Sequence, residues 1–293
     1  MKISAPSRDY SGRRVAVLGA GIAGLGCAWL LSKKHRVTLY EAAPCLGGHS
    51  HTVDIQIGTQ SIAVDTGFIV YNNVNYPNLI KLFETLAVPT EPSDMSFSVS
   101  LDDGKFEYAS PLPGGPFCQP ANLLRPHFLR MLVDIVRFYR HALRVQEGGM
   151  AQDFSVRALL EQGGYSETYW YLHILPMASA IWSTPVEQIL DFDAASFIRF
   201  YDDHGLLRFR DRPKWRTVKD GSRAYVSRLA ADVAGVIRLG TPVRSVRRTT
   251  SGVTVMTAVD EQAFDEVVFA THADQTLNIL GDDRDAAEQQ ALE

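Results

Sequence analysis

Near the start of the chain, Gly19-Ala20-Gly21-Ile22-Ala23-Gly24 has the G-x-G-x-x-G spacing that lets a backbone close around a diphosphate. In such a loop Gly19 allows the tight turn, Gly21 lets a phosphate approach the main chain, and Gly24 lets a helix press onto a strand. Glu41 stands at the end of the next apolar run, where a carboxylate accepts a ribose hydroxyl and disfavours a 2′-phosphate. Other chemistry is poorly supported. His49 and His51 have no third ligand at a metal-site spacing. Ser179, Ser183 and Ser222 lack a nucleophile elbow. Asp202 and Asp203, adjacent on an expected helix, point apart and read as solvated charges, while His204 beside them is kept as a candidate for a cofactor cavity.

The elements around the loop are those needed to position it. Arg14–Leu18 reads as a short strand of the kind buried in a parallel sheet, and it runs straight into Gly19. Ile22 to Lys33 has helical composition, with Ala23, Gly24 and Ala28 small where the helix meets the sheet. His35 to Tyr40 reads as a second strand, delivering Glu41. Phosphates would lie at the helix N-terminus, where free N–H groups and the positive dipole end favour an anion. Adenosine diphosphate is common to NAD and FAD, so this unit leaves both open. The Arg13-Arg14 pair is no export signal, since glycines interrupt the apolar stretch and no small-residue cleavage site follows.

Beyond Glu41, the stretch Ala42-Ala43-Pro44-Cys45-Leu46-Gly47-Gly48-His49 resembles the second glycine pair of the flavoprotein family that includes amine oxidases, phytoene desaturases and protoporphyrinogen oxidases. The resemblance extends through Asp65-Thr66-Gly67-Phe68-Ile69-Val70-Tyr71, Ile174 to Ser183, His204-Gly205-Leu206-Leu207, Arg212 to Val218 and Gly221 to Tyr225, and covers about residues 13 to 280. It is closest to a bacterial subgroup described as NAD/FAD-binding, amine-oxidase-like proteins. It implies FAD as cofactor. It also implies that Gly47, Gly48 and His49 continue the pyrophosphate site, that Gly67 and Phe68 lie beside the isoalloxazine, that Val243 meets the adenine, and that Ala270 and Thr271 return to the dinucleotide. Tyr71, Trp182, His204, Trp215 and Arg216 are candidates for the substrate-cavity wall. No catalytic residue is assigned, because hydride removal by a flavin can proceed without an acid–base group.

The resemblance implies an α/β fold: a Rossmann-like, glutathione-reductase-type FAD-binding domain, split into residues 12–75 and 214–285, around a mainly helical α+β substrate domain at 76–213, with 1–11 a flexible tail. The expected activity is that of an FAD-dependent oxidoreductase acting on a small organic or lipid-like substrate. An NAD-dependent dehydrogenase leaves Gly47-Gly48 unexplained. Three departures stand out. Cys45 replaces a more usual basic residue, His49 a common arginine, and Asp220 a glycine before Gly221. The family's C-terminal segment, which closes over the flavin, is not among these residues; longer relatives are therefore expected, and a non-catalytic dinucleotide-binding remnant is an alternative.

Composition sets the remaining bounds. With 46% hydrophobic and 21% charged residues among 293, the chain has enough apolar material for a buried core. Its 29 basic and 33 acidic residues, net charge −4, argue against a nucleic-acid binder. Cys27, Cys45 and Cys118 suggest neither disulfides nor zinc and fit a reducing, cytoplasmic setting. Oligomeric state is not readable. No apolar run approaches a membrane span. Asp102-Asp103-Gly104 signals a hairpin between Ser96–Ser100 and Lys105–Tyr108. Asn122 to Val145 reads as one amphipathic helix with Leu129, Leu132, Val133, Val136 and Leu143 on a stripe among Arg130, Arg137, Arg140 and Arg144; packing of that stripe on a core is favoured over contact with a membrane surface. Further helices are expected over 153–162, 166–182 and 194–203. The aromatics Tyr165, Tyr169, Trp170, Tyr171 and Trp182 are expected mainly as core.

Overall fold

The computed structural model describes residues 2–4, 12–110, 114–148 and 154–293. Its contacts divide the chain into two units, the first made of the stretch up to Tyr71 with Tyr76–Pro92 and Arg216–Glu293, the second of Asn72–Asn75 and Ser93–Trp215.

A five-stranded sheet centres the first unit. Its order is β1 (Lys2–Ser4), Val236–Arg238, β3 (Arg36–Tyr40), β2 (Arg14–Leu18) and Glu266–Phe269; every pairing is parallel except that of β1. Parallel strands are covered on both faces, which is why β2 after Arg14 is an unbroken run of buried Val15, Ala16, Val17 and Leu18. One face is covered by helix α1 (Ile22–Leu31), whose Leu25, Ala28 and Trp29 share a core with Val17, Val37 and Leu39. The other packs Ala16, Leu18 and Tyr40 against Val246, Val255 and Phe264 of an antiparallel three-stranded sheet, Val243–Thr249, Gly252–Thr257 and Glu261–Phe264.

Two boundaries differ from the sequence reading. Residues 76–92, expected in the inserted domain, belong to the first unit: Phe83 of helix α2 (Pro77–Thr85) is buried in the α1 core beside Tyr71 and Tyr225. Within the expected N-terminal tail, Lys2–Ser4 instead pair with Val236–Arg238; residues 1 and 5–11 lie outside the described residues.

Helices dominate the second unit. The expected hairpin is present as Ser98–Leu101 paired with Phe106–Ala109, its turn built on Asp102, Asp103 and Gly104 at positive φ. The long helix starts later than expected. Pro120–Leu124 forms a 3₁₀ turn, Arg125 is extended, and helix α3 runs Pro126–Gly148, because a proline disfavours helical backbone in the residue before it. The buried stripe also differs. Phe128, Met131, Ile135, Phe138, Tyr139 and Ala142 pack on the core with Leu132 of the expected stripe against them, whereas Leu129, Val133 and Leu143 are exposed. The aromatic stripe buries more apolar area than the aliphatic one, and this decides which face turns inward.

Val156–Gln162, Glu167–Trp182 with a π-helical turn at Trp170–Ile174, and Ala194–Asp203 complete the helical core, capped by Ser155, Ser166 and Asp193; Asp153 lies outside the described residues. Tyr165 and Tyr169 are core, as expected, but Tyr171 is exposed.

Candidate functional site

The glycine loop links β2 to α1, and each of its glycines has a different neighbourhood. Gly19 has φ +97°, and a Cβ there would stand 2.7 Å from the Ala270 carbonyl oxygen. At Gly24 a Cβ would stand 1.8 Å from the Gly19 carbonyl oxygen and 3.2 Å from the Ala270 side chain. Both are demanded by the chain's own packing. Gly21 is not. It is the N-cap of α1 with φ −71°, open to any residue, and a Cβ there would meet nothing within 4 Å. No side chain caps the helix at that end, so its first N–H groups are available to an anion.

Glu41 closes the loop from the side. Its carboxylate accepts hydrogen bonds from the Ala20 N–H at 2.7 Å and the Ala43 N–H at 2.8 Å. The main chain of Glu41 also accepts from the Thr241 N–H at 2.8 Å, which brings Val243, two residues on, to the same end of the sheet. Gly47 pairs with Gly21 in a parallel bridge and donates its N–H to the Ala20 carbonyl at 2.9 Å. Gly47 and Gly48 have φ of +120° and +56°, and a Cβ on Gly48 would reach 3.1 Å from the Gly21 Cα. The second glycine pair thus lies directly against the first loop. Gly67 is as constrained: a Cβ there would stand 2.2 Å from the His49 carbonyl oxygen, which accepts from the Phe68 N–H at 2.8 Å. From the far end of the chain, the Ala270 N–H donates to the Leu18 carbonyl at 2.8 Å, placing Ala270 and Thr271 beside Gly19. All fifteen residues expected at the cofactor therefore belong to the first unit and cluster around the carboxyl ends of its parallel strands.

The family model for flavin containing amine oxidoreductases matches residues 22–292. The chain belongs to this family. Among solved structures, putrescine oxidase bound to putrescine is similar with 19% identity and a TM-score of 0.70, covering 96% of this chain and 63% of that one. Cyclohexylamine oxidase from Brevibacterium oxydans is similar with 20% identity and a TM-score of 0.67, covering 96% and 63%. A CLA-producing fatty acid isomerase from P. acnes is similar with 16% identity and a TM-score of 0.63, covering 98% and 64%. The chain spans less than two thirds of the length of each of these structures. A comparison with curated proteins gives no match.

Membership of this amine oxidoreductase family implies FAD, and the residues present fit its adenosine diphosphate half. The open side of Gly21, the uncapped end of α1 and the carboxylate of Glu41 form a cradle that an added Cβ at position 21 would enter.

The residues expected on the cavity wall are placed differently. Tyr71 is a core residue, 3% exposed and edge-on to Phe83 at 5.3 Å; an aromatic ring gains more from that apolar enclosure than its single hydroxyl demands from solvent. Arg216, in the same unit, is committed to Thr90, donating to its carbonyl at 2.8 Å. In the second unit, Trp182, His204 and Trp215 are brought into one row through Phe200, with ring separations of 4.7, 4.0 and 6.3 Å, while His204 Nδ1 donates to the Phe200 carbonyl. These three residues are half-buried and belong to the second unit, whereas Tyr71 and Arg216 belong to the first.

Two features escaped the sequence reading. His272, the N-cap of helix Ala273–Leu280, meets His49 edge-on with ring centroids 5.5 Å apart, and His51 instead turns to the Thr66 hydroxyl at 2.7 Å. A histidine directly after the late apolar strand was the available signal. In the second unit, His173 is buried within the π-helical turn, where burial first and Arg212 second push its pKa down to about 3. The Tyr108 hydroxyl donates to the Leu172 carbonyl at 2.6 Å and is 3.0 Å from His173 Nδ1, which therefore carries the proton of a neutral imidazole.

Proposed function

We propose that this chain acts as an FAD-dependent oxidoreductase that removes hydride from a small organic or lipid-like substrate. In this reading the first unit, residues 76–92 included, forms the split cofactor domain, and the helical second unit carries the substrate surface. One observation carries the proposal: Gly21 has neither a backbone nor a packing reason to be glycine, so its missing side chain answers to a ligand that approaches the backbone there.

The residues act by binding and placement. The first turn of α1 presents N–H groups to a diphosphate. Glu41 accepts from a ribose hydroxyl while its remaining lone pairs hold Ala20 and Ala43, so the carboxylate fixes loop and ligand together. His49 and His272 supply imidazole donors at the outer side of the loop. Gly67 and Phe68 offer close-packed backbone where the redox ring would lie, and Trp182, His204 and Trp215 offer an aromatic wall with one polar group for orienting substrate. The flavin, when bound, supplies the hydride-accepting chemistry.

An absorbance spectrum of the purified protein, followed by release and identification of the bound nucleotide, tests the proposal. Stoichiometric FAD is the expected result. Release of NAD would replace this reading with a nicotinamide dehydrogenase. A colourless protein that FAD cannot reconstitute would leave a dinucleotide-fold remnant without cofactor.

A further inference from the structure

Helix α3 has two apolar stripes, and its own unit covers only one. Opposite the buried row, Leu129, Val133 and Leu143 are 41%, 53% and 38% exposed, and in the turn just before the helix Leu123 and Leu124 are 54% and 86% exposed. Positions 129, 133, 136 and 143 recur at helical spacing and form one face. Arg140 falls in the same row and Arg144 one turn beyond. Arg130 and Arg137 are held by the buried carboxylate of Asp134, whereas Arg140 and Arg144 make no hydrogen bond or ion pair among the described residues. Between residues 120 and 145 the chain has five arginines against one aspartate, although its net charge is −4.

We propose that this face docks on a membrane surface bearing anionic headgroups, with α3 lying in the plane of the interface. Leu124, Leu129, Val133 and Leu143 enter the boundary between headgroups and acyl chains, and Arg140 and Arg144 extend their stems along that apolar surface to reach lipid phosphates. The combination selects this occupant. A purely apolar partner would leave the Arg140 and Arg144 guanidinium groups desolvated without a counter-charge from the partner. A symmetric contact with a second copy would set Arg140 and Arg144 against themselves. Single-stranded nucleic acid calls for aromatic stacking platforms, and the exposed row is aliphatic. No helix among the described residues is long and apolar enough to cross a membrane.

Flotation of the full chain with vesicles of phosphatidylcholine containing about 30% phosphatidylglycerol tests this. The protein is expected to float with these vesicles, and the bound fraction to fall at least about tenfold with pure phosphatidylcholine or at about 0.5 M salt. The double variants Leu129→Ser/Val133→Ser and Arg140→Glu/Arg144→Glu should each lose binding at least about tenfold with an unchanged melting temperature, since all four positions are exposed. Equal recovery on charged and neutral vesicles, or wild-type protein that never floats, overturns the proposal. So does sedimentation of the wild type as a dimer that either double variant dissociates, which would assign the face to a second copy.

Discussion

Replacing Gly21 by alanine separates a ligand's demand for glycine from the fold's. Position 21 has φ −71° and open space beyond the missing Cβ. Alanine is the poorer N-cap by up to about 1 kcal/mol, and the smaller entropy of the unfolded chain returns about 0.4–1 kcal/mol. The net change in stability is therefore within about 1 kcal/mol, a melting shift of a few degrees at most for a chain of this size. In the proposed reading, however, the methyl group stands where a diphosphate approaches the N–H groups of α1. Losing two charge-assisted hydrogen bonds at about 1.5 kcal/mol each weakens FAD binding by about 100-fold or more. Two controls lie on the same helix. Gly26→Ala also faces open space but should stabilise the helix by about 0.5–1 kcal/mol and leave FAD affinity unchanged. Gly24→Ala drives a methyl into the Gly19 carbonyl and should lower both stability and affinity. Flavin titration of the apoprotein, followed by fluorescence, and thermal melts supply the two readouts. A Gly21→Ala protein that binds FAD within about threefold of wild type would refute the reasoning, because binding would then not need the close approach.

Three further outcomes follow from the geometry. Glu41→Gln keeps the shape but weakens acceptance from Ala20 and Ala43; FAD affinity should fall about 10- to 100-fold, with melting lowered by the loss of roughly 1–2 kcal/mol. Asp134 is wholly buried on α3; burial would raise its pKa, but hydrogen bonds from Ser166, Arg137 and Arg130 outweigh that and hold it below the ordinary carboxylate value. Asp134→Ala should cost about 2–3 kcal/mol in urea unfolding, less than for a fully buried pair because both arginines can re-enter water. His173 stays neutral in the fold down to about pH 3, whereas the unfolded chain takes up a proton below its ordinary pKa near 6.5. Its depressed pKa favours the folded state less and less as pH falls through that interval, by up to about 1.4 kcal/mol per pH unit. His173→Gln should flatten the decline of stability between about pH 6 and pH 4 relative to wild type, and parallel curves would show that another group controls it.

The dinucleotide loop was legible because each of its signals is local: strand, glycine spacing, helix and acid follow one another within 30 residues, and the backbone conformations that select glycine are written as glycines. Even a departure was informative. Asp220, read as occupying a glycine position, has φ +66° in the structure. Periodicity served less well in α3. It marks faces but not which face is covered, and the two stripes of that helix differ in area rather than in pattern, so the exposed row passed for the buried one. The burial of Tyr71 was hidden for a related reason. A tyrosine beside the glycine stretch fits a cavity wall equally well until Phe83, supplied by a segment assigned to the other domain, encloses it. His272 needed three-dimensional pairing with a residue more than 200 positions away.

That distance has a consequence for how the molecule is made. Arg14 and Asp265, hydrogen-bonded at the mouth of the central sheet, are 251 residues apart, and β2 gains its Glu266–Phe269 neighbour only then. At ordinary rates of synthesis of about 5–20 residues per second, the first half of the phosphate cradle waits roughly 12–50 s for its second half, with one edge of an apolar strand unpaired. Contacts within the helical unit are far more local, and local contacts form first. The nucleotide site thus closes only after Glu266–Phe269 has been made, and a cofactor can be captured in full only from that point.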